Sequence, residues 1–150
     1  MSYTQLLYHI VFRTKYSAQA ISIEHEQLLY NYIWGLCMQR NVVLSRIGGM
    51  PDHIHMLVQL PATMSVSDFV RDIKALSSKF LRDNLDKFPL FLGWGKSFCA
   101  LSITNSDKDR VYNYIKNQKE HHLGTSLNDE IVTLLNDANI PFEPKYLFGD

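Results

Sequence analysis

Apolar and polar residues alternate in short blocks at some points of this chain and recur at helical spacing at others, and the switches between the two periods divide it into elements. Tyr3 to Thr14 is rich in tyrosine, isoleucine, valine and phenylalanine, which suit a pleated, half-buried surface, and predicts a first strand. From Ile23 to Arg40 the apolar positions Leu28, Leu29, Tyr32, Ile33 and Leu36 share one helical face, with Ser22 as the N-cap. Val42 to Ile47 predicts a second strand, Gly48-Gly49 a turn, and His53 to Leu60 a third strand ended by Pro61, the two strands forming an antiparallel hairpin. Ser65-Val66-Ser67-Asp68 reads as a capping box opening a second helix through Phe69, Ile73, Leu76, Phe80 and Leu81 to Asn84. Phe98 to Thr104 predicts a fourth strand, Asp107 to His122 a third helix behind Ser106, and Leu127 to Asn139 a fourth behind Ser126. The tail from Ile140, with Pro141 and Pro144, predicts extended chain.

Read in order, the first six elements are βαββαβ. That order predicts an α+β, ferredoxin-like antiparallel sheet with two helices on one face, followed by additional C-terminal helices. Residues 1–150 are the size of one ordinary domain, and the apolar fraction of 46% is enough for a continuous core without disulfides. Lys87 to Lys96 reads as a connecting loop that packs through Phe88, Phe91 and Trp94 rather than as a linker.

Formal net charge is zero, so any nucleic-acid partner must be met by a local basic surface rather than by bulk attraction. Arg13, Lys15, Arg46, Lys74 and Lys79 are the candidates, placed on strand ends and one helix face where they could neutralise phosphates. Cys37 and Cys99 lie in apolar surroundings without a CxxC spacing, which predicts reduced, buried thiols in a cytoplasmic protein. No apolar run approaches the roughly 20 residues that span a bilayer, so no membrane partner is expected.

The chemistry concentrates at Pro51-Asp52-His53-Ile54-His55. On a strand, His53 and His55 point to the same side, roughly 6.6 Å apart along the backbone, while Ile54 and Met56 face the other way. Two neutral imidazoles on one face make half of a metal site, or else a surface or hydrogen-bonded pair. Asp52 next to them is either an orienting partner or a turn residue. On the predicted third helix Tyr114 and Gln118 are four residues apart and share a face, whereas Tyr112 points about 200° around the axis and reads as core. His121 follows on roughly the Gln118 face, His9 reads as a packed or hydrogen-bonded strand residue, and His25 and His122 read as solvated.

His-hydrophobic-His after Pro-Asp, then Tyr-Ile-Lys-Asn-Gln on a later helix, resembles the single-tyrosine HUH transposases, the IS200-like family that moves insertion sequences as single-stranded DNA. Tyr8 to Tyr16, Met50 to Val58, Lys74 to Leu81, Phe98 to Thr104, Val111 to His122 and Pro141 to Phe148 carry the likeness over most of the chain. The resemblance implies a ferredoxin-like fold, Mg²⁺ or Mn²⁺ dependence, recognition of single-stranded DNA with a hairpin near each element end, and a 5′-phosphotyrosine intermediate. It implies His53, His55 and Gln118 as metal ligands and Tyr114 as nucleophile, in a homodimer whose active sites are shared between subunits. Ser97-Phe98 stands where members often have a glycine followed by tyrosine.

Overall fold

The computed structural model describes residues 2–147 of the chain. Strands β1 (Leu6–Arg13), β2 (Val43–Met50), β3 (His53–Leu60) and β4 (Cys99–Ile103) are separated by the helices α1 (Glu26–Gln39), between β1 and β2, and α2 (Val66–Arg82), between β3 and β4. They pair as one four-stranded sheet in the order β2-β3-β1-β4, every neighbouring pair antiparallel. This is the ferredoxin-like arrangement. Helices α3 (Lys108–Lys116), α4 (Gln118–His121), α5 (Leu127–Asp137) and a short α6 (Pro144–Leu147) follow.

Strand alternation decides what lies on each side of the sheet. Ile10 and Phe12 of β1 and Ile54, Met56 and Val58 of β3 enter the main apolar core with Leu29, Ile33 and Leu36 of α1 and Phe69, Val70 and Ile73 of α2. The opposite side receives smaller clusters: Leu57 with Val111 and Ile115 of α3, and Val11 with Leu127, Ile131 and Leu135 of α5. Helices therefore cover both faces of the sheet, the additional C-terminal ones on the face that bears the histidines.

Four local expectations change. Gly48 and Gly49 are not the hairpin turn but the end of β2; the turn is Pro51-Asp52. A Cβ on Gly48 would stand 2.9 Å from the Ile115 carbonyl, so that glycine lets α3 press against the sheet, while a Cβ on Gly49 would overlap the His53 carbonyl of the neighbouring strand. The expected single helix 107–122 is interrupted at Asn117 (φ −98°, ψ 21°), which splits α3 from α4. Proline at 144 opens the short α6, as its fixed φ suits a first helical turn, where extended chain was expected. Of the caps, Ser65 and Ser126 accept the N–H groups of Asp68 and Asp129 at 3.0 and 3.2 Å. Ser22 accepts instead from the N–H of His25, one residue before α1 begins.

Candidate active site

His53 and His55 are both fully buried on the α3–α5 side of β3, and each has one ring nitrogen fixed by a neighbour. His53 Nδ1 donates to the Asp52 carboxylate at 2.7 Å. His55 Nδ1 lies 2.8 Å from Nε2 of His9, on β1, whose ring stacks on that of His55 with centroids 5.1 Å apart. With the δ nitrogens engaged, both ε nitrogens point into the same space. His9 is thus the hydrogen-bonded strand residue its pattern suggested, and Asp52 both turns the chain and orients His53.

Tyr114 and Gln118 come to this space from the facing helices. The Gln118 amide oxygen is 3.2 Å from His53 Nε2, and the Tyr114 ring sits edge-on to His55 with centroids 5.7 Å apart. All four residues singled out from sequence converge within a single chain. Tyr112 instead packs with Leu57, Val111 and Ile115 and lies beside the Arg46 guanidinium, 5.5 Å from its ring centroid.

At the centre stands a residue that the sequence reading passed over. Glu130 of α5 is buried, and its Oε1 lies 3.1 Å from His55 Nε2, 3.5 Å from His53 Nε2 and 3.0 Å from His122 Nε2. Its Oε2 accepts hydrogen bonds from the Gln118 amide at 3.0 Å and from the Tyr114 hydroxyl, and lies 3.3 Å from His121 Nε2. His122, expected to be solvated, has a side chain only 6% exposed, against 35% for His121, because the chain turns inward after α4. Glu130 did carry a signal: it lies between Leu127 and Ile131 on the apolar stripe of an amphipathic helix, where an acid is out of place unless partnered.

Burial and these contacts set the charges. Burial lowers His55 to about 4 against the pull of Glu130, and lowers His9 to about 3, with His55 adding to the effect. For His53 burial is outweighed by the Asp52 and Glu130 carboxylates, and its pKa rises to about 9. Burial pushes the Glu130 carboxyl up, but hydrogen bonds from His53 and His55 overcome that and hold it far below the usual carboxylate range. Tyr114 is held well above the usual phenol value, by burial first and then by the Glu130 carboxylate. The pocket therefore pairs an ionised carboxylate with imidazoles and a protonated phenol. His53, His55, His122 and Glu130 offer ligand atoms that all lie within 4.8 Å of one another, a donor set that fits a divalent cation.

The basic candidates do not form one surface around this centre. Arg13 ends β1 opposite His53 and donates to Ser17 Oγ at 2.9 Å. Lys15 and Lys74 line a shallow cleft with Arg82 and Trp94, where the Lys74 amine also donates to the Gly95 and Ser97 carbonyls, both at 2.9 Å. Arg46 lines a separate groove with Trp34, Lys116 and Lys119. Lys79 is exposed and paired with Asp83 at 2.7 Å. No helix among the described residues is long and apolar enough to cross a membrane.

A ferredoxin-like sheet with a buried histidine pair beneath a tyrosine-bearing helix places the protein among the small transposases. The chain belongs to the family described as "Transposase IS200 like", which matches residues 2–118. It is 30% identical over 125 residues to the transposase for insertion sequence element IS200 of Salmonella typhimurium, covering 81% of this chain and 82% of that one. To the ISDra2 transposase TnpA of Deinococcus radiodurans it is 27% identical over 120 residues, 77% of this chain and 86% of that one. A crystal structure described as a transposase candidate from Deinococcus radiodurans R1 superposes with a TM-score of 0.62 at 26% identity, over 78% of this chain and 93% of that one. A REP-associated tyrosine transposase bound to a REP hairpin shares the fold with a TM-score of 0.58 at 18% identity, over 100% of this chain and 94% of its own.

Proposed function

We propose that this transposase cuts and rejoins single-stranded DNA near a hairpin at the ends of its element, through an ester between Tyr114 and a 5′ phosphate. The observation that supports this reading best is the convergence of Tyr114 with His53, His55 and Gln118 in one buried cluster. A divalent cation, Mg²⁺ or Mn²⁺, would be held by His53 and His55 with the Gln118 amide oxygen. When bound it supplies positive charge to the scissile phosphate. Asp52 and His9 keep the two imidazoles turned toward it.

In the cutting step the Tyr114 oxygen forms a bond to phosphorus as the bond from phosphorus to the 3′ oxygen breaks, and the net proton transfer is from the phenol to the departing 3′ oxygen. Attack on the ester by another 3′-hydroxyl rejoins the strand and returns the proton to Tyr114. Because one phosphodiester is exchanged for another, no nucleotide cofactor is required. We place the reaction in the cytoplasm, where the unpaired Cys37 and Cys99 remain reduced.

The test is a denaturing gel of the protein mixed with labelled single-stranded oligonucleotides from both flanks of its gene, with Mn²⁺ or Mg²⁺. Wild type should give a labelled adduct that needs the cation and fails with duplex DNA, and Tyr114→Phe should give none. An adduct that persists in Tyr114→Phe overturns the assignment. Mixing Tyr114→Phe with His53→Ala addresses the homodimer: restored adduct means that two copies share sites, and none means that each chain completes its own, as the contacts within this chain allow.

A further inference from the structure

The cluster beneath Tyr114 contains two groups absent from the family's pattern of His53, His55 and Gln118. We propose that Glu130 and His122 are also ligands of the cation, making with the Gln118 amide oxygen a site of three imidazoles and a carboxylate that takes manganese, cobalt or zinc in preference to magnesium. The inference deepens the reading of His53 and His55 as a cation centre and rests on it.

Spacing is the first support. Two ligand atoms each about 2.1 Å from a shared ion, and at right or tetrahedral angles, stand about 3.0–3.4 Å apart. Glu130 Oε1 lies 3.0, 3.1 and 3.5 Å from the ε nitrogens of His122, His55 and His53. The carboxylate oxygen is thus a common neighbour of three ring nitrogens, those of His122 and His55 at the separations that ligands around one ion adopt and that of His53 at 3.5 Å, just beyond them.

Charge is the second. A buried carboxylate is normally compensated by a lysine or arginine, or it coordinates a metal. Among the described residues no lysine or arginine pairs with Glu130, whose side chain is 1% exposed; its ion-pair partners are His53, His55, His121 and His122. The imidazoles that meet the carboxylate through hydrogen bonds and ion pairs are also the donor type of a transition-metal shell. The Gln118 amide nitrogen and the Tyr114 hydroxyl take the other oxygen, Oε2, and leave Oε1 turned toward the rings.

Donor chemistry gives the selectivity. Magnesium prefers oxygen ligands and keeps several waters, whereas imidazole nitrogen favours later first-row ions, with affinity rising from manganese through cobalt to a peak at copper and falling again at zinc. Each imidazole ligand added to His53 and His55 moves the site further from magnesium, and the carboxylate lends the charge that raises affinity for any divalent ion.

The test titrates the full-length, chelator-stripped protein without DNA. Electron paramagnetic resonance follows free Mn²⁺, Mg²⁺ is added as competitor, and the visible spectrum of bound Co²⁺ reports its ligands. Wild type should take up one Mn²⁺ per chain and hold Mg²⁺ at least about tenfold more weakly. Glu130→Gln and His122→Gln should each weaken Mn²⁺ by about 10–100-fold or more and shift the Co²⁺ bands. Circular dichroism identifies a variant that fails to fold; the other then decides. If both folded variants bind Mn²⁺ as wild type does while His53→Ala loses it, Glu130 and His122 are not ligands and the cation centre itself stands. Equal affinity for Mg²⁺ and Mn²⁺ overturns the selectivity, and a wild type that takes up no cation overturns the underlying centre as well.

Discussion

The two faces of β3 differ sharply in chemistry, although the same residues 53–58 supply both. Ile54, Met56 and Val58 enter the main apolar core with side chains of α1, α2 and β1, and their burial is worth roughly 1.5–3 kcal/mol each. His53 and His55 are equally inaccessible to water, yet they meet a carboxylate, an amide, a phenol and further imidazoles. Burial on the first face lowers the free energy of folding directly. On the second it removes water from polar groups and must be offset by their contacts with one another. The lesson is that stability and chemistry are divided by the pleat: one face of the strand holds the fold together, and the other holds groups that water would otherwise screen.

The strongest way to break that division is to make a cavity on the apolar face. Ile54→Ala should destabilise the protein by about 2–5 kcal/mol in denaturant unfolding, while cation affinity, measured where the variant is still folded, stays within a few fold of wild type. A matching loss of cation affinity would show that the two faces are mechanically coupled and would remove the distinction.

This division was half visible in the sequence. The period-two pattern of residues 53–58 separates His53 and His55 from Ile54 and Met56 without any structure, and Ser65 and Ser126 mark helix starts because their hydroxyls serve N–H groups three residues on. Such signals are local. The partner of the histidines is not, since Glu130 reaches His55 across 75 positions of chain, and nothing near residue 55 points to it. The reading of Gly48-Gly49 as a turn failed for a related reason. Those glycines answer to the backbone of Ile115 and the His53 carbonyl, a tertiary constraint, whereas the tight turn is made by Pro51-Asp52. His121 and His122 were ranked by helical phase on an unbroken helix. The interruption at Asn117 and the turn after α4 change that phase and bring His122 inside.

Asp52 sharpens the comparison from the other side, because it adjoins both faces in sequence while its carboxylate serves the histidine-bearing one. Its carboxylate holds His53 Nδ1 at 2.7 Å, so Asp52→Ala frees the ring to turn. Cation affinity should fall by about 10–100-fold, as is usual for loss of an orienting partner, with a much smaller change in stability than Ile54→Ala produces. Titration of the two variants side by side would give opposite rankings for affinity and for unfolding. The same ranking in both measurements would mean that His53 contributes to the fold as a packed side chain rather than as a positioned donor.

The smallest effect belongs to Ser126, where the two properties should move together. Its hydroxyl caps α5 by accepting the Asp129 N–H at 3.2 Å, one residue before Glu130, and the same helix buries Leu127, Ile131 and Leu135 against the histidine-bearing side of the sheet. Ser126→Ala should cost about 1 kcal/mol in unfolding. Because the first turn that frays is the turn that carries Glu130, contact between the carboxylate and the rings should loosen as well, lowering cation affinity by less than the Asp52→Ala change. Ser126→Asp, which restores a capping oxygen and places negative charge where the helix dipole favours it, should return both properties toward wild type. Recovery of stability without recovery of affinity would show that the first turn of α5 supports the fold but does not set the position of Glu130.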